Sequence, residues 1–151
     1  MPIWTPESRT SIVFVPTQIE PTVRFVISFL FGLIAEVLTG LAIGAGIFAT
    51  GRGMPSNPSD FPAWVPYVAI VGGAAFTFLF AWWRATRDPE RAMMHALIVT
   101  AAAIGLHLVT AVGGGQPLTL FHAIADACKL ISGVVAGRIV RTKSSPTVAP
   151  V

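Results

Sequence analysis

The sequence predicts an all-α integral membrane protein, a bundle of four transmembrane helices with both termini cytoplasmic. Three observations carry that expectation. Of the 151 residues, 54% are hydrophobic and only 11% charged, whereas soluble domains carry about 25% charge. Four apolar runs, each long enough to cross a hydrocarbon core of about 30 Å, follow one another through short links. If the runs alternate in direction, Arg9, Arg24, Arg84, Arg87, Arg91, Arg138, Arg141 and Lys143 lie on the side of the termini, and Arg52 stands alone on the other. Such an excess of arginine and lysine marks the cytoplasmic side.

The net charge of +3 is therefore a topology signal, and the predicted partner is the lipid bilayer, with no nucleic acid. One folded unit is expected over residues 23–141, because the links are too short to be domains. The lone Cys128, set in an apolar run, cannot form an intrachain disulfide.

Residues 1–22 contain Pro2, Pro6, Pro16 and Pro21, a density that forbids a long helix, so they read as an irregular arm. They do not show the basic segment and short apolar core of a cleavable signal peptide. The first helix is expected at 23–50, closed by Gly51, Gly53 and Pro55. Within it Gly32, Glu36, Gly40 and Gly44 recur every fourth residue, a small-residue stripe of the kind that admits a neighbouring backbone, with a carboxylate set into it. A turn-rich loop leads to the second helix, 63–83. Trp64 and Tyr67 stand at its start and Trp82 and Trp83 at its end, where amphipathic aromatics suit the two headgroup levels.

Asp88, Pro89 and Glu90 read as a helix start, with an N-cap acceptor, a proline in the first helical position and an acid in the first turn. The third helix follows over 90–112, with His95 near its cytoplasmic end as an interfacial residue. Gly113, Gly114, Gly115, Gln116 and Pro117 form a tight hairpin into the fourth helix, 117–140, and residues 142–151 read as a disordered basic tail.

The fourth run carries the chemistry. His122, Asp126, Lys129, Gly133 and Gly137 succeed one another at steps of four, three, four and four, so on a helix they share one face. Ionisable groups at that depth are costly unless answered, and they mark a site by default. His107 and His122 are placed symmetrically about the glycine hairpin, which brings the two imidazoles to similar depth on antiparallel neighbours. Glu36, His107, His122, Asp126 and Lys129 are therefore the candidate ion- or substrate-binding residues, in the outward half of the bundle. Gly32, Gly40, Gly44, Gly133 and Gly137 are the candidate packing positions. Asp126 and Lys129, three residues apart, are expected to pair, leaving Glu36 to carry a proton, hold a cation or meet a protonated histidine.

The leading expectation is a small transport or proton/cation-coupled binding protein. An alternative is an accessory or scaffold subunit of a larger membrane complex, and a third is a metal- or haem-binding redox module. No phosphate loop, dinucleotide fingerprint, G-x-S-x-G or H-E-x-x-H is present, so no enzyme motif is read. No cofactor is predicted. A metal ion on His107, His122, Asp126 and Glu36 has suitable donor types, whereas a haem between histidines joined by a tight hairpin lacks room. Four helices enclose little space, so a homo-oligomer or larger complex is expected.

Overall fold

The computed structural model describes residues 21–51, 53, 55 and 60–144. The expected N-terminal arm lies outside the described residues apart from Pro21 and Thr22, as does the tail beyond residue 144. Four helices follow one another: α1 Pro21–Ala49, α2 Val65–Arg87, α3 Ala92–Gly113 and α4 Leu120–Ser144, with a single 3-10 turn, Pro89–Arg91, between α2 and α3. No strand occurs among the described residues. Three stretches, Pro21–Ala49, Val65–Arg87 and Pro89–Gly113, are long and apolar enough to cross a membrane, which marks the chain as a membrane protein.

Burial agrees with an apolar surrounding. Large side chains such as Leu41, Phe48, Val71, Val109 and Leu120 lie on the outside, while the interior is dominated by alanines, among them Ala35, Ala81, Ala96, Ala103 and Ala136. Lipid is as apolar as leucine, so nothing drives large chains inward, and small residues let helices approach closely.

The helix ends have local causes. Pro21 opens α1 where its missing N–H is not needed. α1 closes through Gly51 N–H bonded to Phe48 O at 3.0 Å, with Gly51 at φ +70°, a conformation that costs glycine least. α2 runs four residues beyond its expected end, and Arg84 and Arg87 occupy its last turn, where cations complement the helix dipole. It stops at Asp88, whose φ of −146° and ψ of 76° lie outside the helical region that the following proline disfavours. Asp88 makes no side-chain cap bond to the turn that follows, contrary to its expected role. α4 starts three residues after Pro117, and Thr119 O accepts from His122 N–H at 3.1 Å. It then continues through residues 142–144, which were expected in the tail.

The bundle alternates up and down. α1 packs on α2 and α3, α4 packs on the same two, and α1 and α4 face each other on a diagonal with no backbone approach among the described residues. Three glycines set the close seams with α3. A Cβ on Gly32 would strike the Val99 carbonyl and Ala102, one on Gly133 would strike the Thr100 hydroxyl, and one on Gly137 would press on Ala96 and Met93. Gly40 and Gly44, expected to share this role, have nothing among the described residues within 4 Å of where a Cβ would stand. The first-helix stripe therefore divides: its Gly32 end packs inside the chain, and its Gly40 and Gly44 end does not.

Candidate functional site

All five ionisable residues singled out in the sequence are joined in one row. It begins at the glycine hairpin, where the His107 and His122 rings stack with centroids 5.4 Å apart and planes at 23°. Stacking follows from their symmetric spacing about the turn. His122 Nδ1 accepts the Thr119 backbone N–H at 3.2 Å and lies 2.8 Å from the Thr119 hydroxyl, which ties the ring to the start of α4. His107 Nδ1 lies 2.6 Å from Asp126 Oδ1, a contact from α3 to α4. The carboxylate can only accept from that nitrogen, so Nδ1 carries the proton and the ring is fixed in one tautomer or in the doubly protonated form.

The row then crosses the bundle. Lys129 Nζ bonds Glu36 Oε2 at 2.6 Å and stands 3.7 Å from Asp126 Oδ1. This corrects the expected pairing: Glu36 is not left without a base, and the main partner of Lys129 is on α1, not three residues away on its own helix. The reason is reach. α1 and α4 are not neighbours, and a long lysine side chain directed between α2 and α3 spans the gap. Gly73 on α2 makes the passage, since a Cβ there would stand 2.8 Å from Lys129 Cε. Lys129 is only 1% exposed and Glu36 13%, so the pair is largely withdrawn from the surroundings.

Beside the histidines a cavity of about 410 Å³ opens between the α2 start, the hairpin and the α4 start. Its walls are mostly apolar, with Ile43, Phe61, Val65 and Phe121 among them, and its polar groups are His107, His122, Gln116 and Thr119. Tyr67 closes edge-on against Phe121 at 6.4 Å.

A second polar cluster, not foreseen from the sequence, lies at the opposite, arginine-rich end. Asp88 Oδ2 takes Arg24 Nη1 from α1 at 2.9 Å and His95 Nε2 from α3 at 3.2 Å. His95 Nδ1 meets the Ser28 hydroxyl at 2.8 Å, and Arg84 Nη2 reaches the Arg24 carbonyl at 3.3 Å. His95 is fully buried, which corrects its expected interfacial place. A readable signal existed: His95, Val99 and Ala102 follow at steps of four and three, so His95 lies on the small-residue face that α1 covers. Ser28 can serve either protonation state of His95. Its hydroxyl donates to Nδ1 of the neutral ring, or donates to the Arg24 carbonyl at 2.9 Å while accepting from Nδ1–H. Burial pushes the Asp88 carboxyl up, but hydrogen bonds from Arg24 and His95 and their charges outweigh it and hold the group below the usual carboxylate range.

Between the clusters lies an apolar layer of Ala81, Ala96, Val99 and Ala136, flanked by Phe31, Phe78 and Phe80. From Ser28 to Glu36 along α1 it spans roughly 12 Å of helix rise. Thr77, one turn from Gly73, is fully buried and its hydroxyl has no hydrogen-bond partner among the described residues. Thr39 and Thr100 instead bond the carbonyls one turn back, Ala35 and Ala96.

Among the described residues no three of His, Cys, Asp and Glu converge as a metal site. Within the row, Lys129 already sets a positive charge between the two carboxylates. No family model matches the chain, and no curated protein or solved structure resembles it.

Proposed function

We propose that the chain is a polytopic protein of four transmembrane helices, with both termini cytoplasmic, that handles a proton, alone or coupled to a small solute, in the outward half of the bilayer. The observation that carries this reading is the continuous row His122, His107, Asp126, Lys129 and Glu36, leading from the cavity across the bundle diagonal. With His107 neutral, two carboxylates and one ammonium leave the row one negative charge in excess. One proton on His107 would cancel it, so the two charge states of the row differ by a single proton. A purely structural pair needs neither the histidines nor the cavity.

The test is proton movement in proteoliposomes with an entrapped pH-sensitive dye. Glu36→Gln is expected to abolish flux while the protein stays folded, and ordinary flux in that variant would sink the reading. The membrane topology is checked separately, by labelling cysteines placed at Gly53 and Thr142 in a Cys128→Ser background. Only Thr142→Cys should react from the cytoplasmic side.

A second reading, an accessory or scaffold subunit, is supported by the unoccupied Gly40 and Gly44 positions on α1, beside exposed Val37 and Leu41. On that reading Gly40→Leu with Gly44→Leu breaks assembly with a partner or a second copy and leaves proton flux intact. Native mass spectrometry from detergent distinguishes the two.

A further inference from the structure

We infer that the cavity at the hairpin is a binding site for a small monocarboxylic acid with an apolar body, and that His107 takes the acid's proton. This rests on the proposed proton-handling row and names the solute class for it.

The walls define the guest. A volume of about 410 Å³ falls in the range of small-molecule sites, and a mostly apolar lining with a few convergent polar groups is their usual form. No Asp, Glu, Lys or Arg is among the described residues that line it. Among those residues an ammonium guest would find no carboxylate, and a carboxylate guest would find no cation except an imidazolium.

The imidazoles supply the recognition. Both Nδ1 atoms are engaged, His107 with Asp126 and His122 with Thr119, so each ring can offer a guest only its Nε2. In the neutral rings the two differ. His122 Nδ1 accepts from Thr119 N–H, which places the His122 proton on Nε2 as a donor. His107 Nδ1 donates to Asp126, which leaves its Nε2 bare as an acceptor. One donor and one acceptor on rings 5.4 Å apart match the carbonyl and hydroxyl of one carboxylic acid group. The acid hydroxyl donates to His107 Nε2 and its carbonyl oxygen accepts from His122 Nε2–H.

The proton then passes from the acid oxygen to His107 Nε2. No covalent bond other than O–H and N–H changes, and the total charge is conserved. The products are a carboxylate beside an imidazolium, with Asp126 behind it and Lys129 and Glu36 beyond. The charged groups facing His107 are Asp126, Lys129 and His122 from α4, with Glu36 of α1 reached through Lys129, and α2 contributes only apolar lining such as Val65 and Ala69. The row, one negative charge in excess before, becomes neutral when the proton arrives.

Calorimetry on the full chain in lipid nanodiscs tests this, with benzoate, benzylammonium and benzyl alcohol as probes and empty discs as blank. Titrations at pH 7 in two buffers of different ionisation heat count the protons. Benzoate should bind with uptake of close to one proton, and its affinity should rise about tenfold per unit fall in pH. The amine and the alcohol should bind at least tenfold more weakly. Ala69→Trp, which fills the cavity and leaves the row untouched, should abolish benzoate binding, and His107→Gln should remove the proton uptake. Equal binding of the alcohol, tighter binding of the amine, or benzoate binding without proton uptake overturns the inference. No benzoate binding to the unaltered protein overturns it too. Glu36-dependent flux without benzoate binding would leave the proton reading standing and remove this one, and benzoate binding with proton uptake but without flux would do the reverse.

Discussion

Asp88 stands in the link between α2 and α3 and ties that link to two helices. Its position before Pro89 makes it a helix cap by sequence, yet its carboxylate gathers Arg24 and His95 from α1 and α3. Nothing near it in the chain announces those partners, whereas the histidine pair was legible because the hairpin fixes its depth. The same applies to Lys129: Asp126, three residues away, is the neighbour that sequence proximity proposes, and Glu36 is reached only through the gap at Gly73. Removing the Asp88 charge in Asp88→Asn leaves Arg24 and Arg84 without an anion, and it should cost roughly 1.5–3 kcal/mol, the value of hydrogen bonds to a charged group. The pH dependence has a definite sign. The folded carboxyl lies below its ordinary value, so its stabilisation is complete above about pH 3.9, where the unfolded group is ionised. It is then lost as pH falls through the folded value. Unfolding in mixed micelles, followed from about pH 5 down to about pH 2, should show this loss below about pH 3.9 in the natural chain and not in Asp88→Asn. Thr77→Val makes a contrasting case. Because the hydroxyl is buried without a partner among the described residues, removing it at constant shape should leave stability equal or higher.

The helices were more legible than their contacts. The four apolar runs recur as α1 to α4, and the largest departures are at helix ends, at Arg84 to Arg87, at residues 117–119 and at 141–144. The glycine stripes are uniform in the sequence and not in their packing, because a stripe on one helix does not say which part of it a neighbour covers. α3 covers Gly32 of α1, and Gly133 and Gly137 of α4, while Gly40 and Gly44 remain open. This separates two sets of substitutions. Gly133→Ala sets a methyl into the Thr100 hydroxyl and Gly32→Ala into the Val99 carbonyl, and each should destabilise by about 1–3 kcal/mol through overpacking. Gly40→Ala and Gly44→Ala should be neutral or slightly stabilising in the monomer, since alanine is the better helix former. A melting series across the four variants reads the difference directly. If Gly40→Ala and Gly44→Ala lose as much as the other two, a second copy or partner already occupies that face.

The two polar clusters and the apolar layer between them give the bundle its mechanical logic. The backbones of α1 and α4 do not approach each other among the described residues, so backbone packing alone leaves the diagonal unbraced, and the Lys129 bond to Glu36 is the clasp that closes it. At the other end Arg24 and Ser28 tie α1 to the link between α2 and α3 and to His95. A clasp and a proton row are different uses of the same residues, and their energetics differ. Lys129→Met leaves Glu36 without its cation and Asp126 with His107 alone, so it should cost about 3–5 kcal/mol, the usual price of breaking a withdrawn ion pair from one side. Glu36→Leu should cost less, because Lys129 Nζ is already 3.7 Å from Asp126 and can close on it. The double variant should recover much of the loss of Lys129→Met, since an apolar pair of similar volume commonly replaces a withdrawn ion pair at little cost. Stability and proton flux measured on all three then separate the two uses. If the double variant is as stable as the natural chain and still moves protons, the pair is only a clasp. If it is stable and moves none, the charges are kept at that depth for the proton and not for the fold.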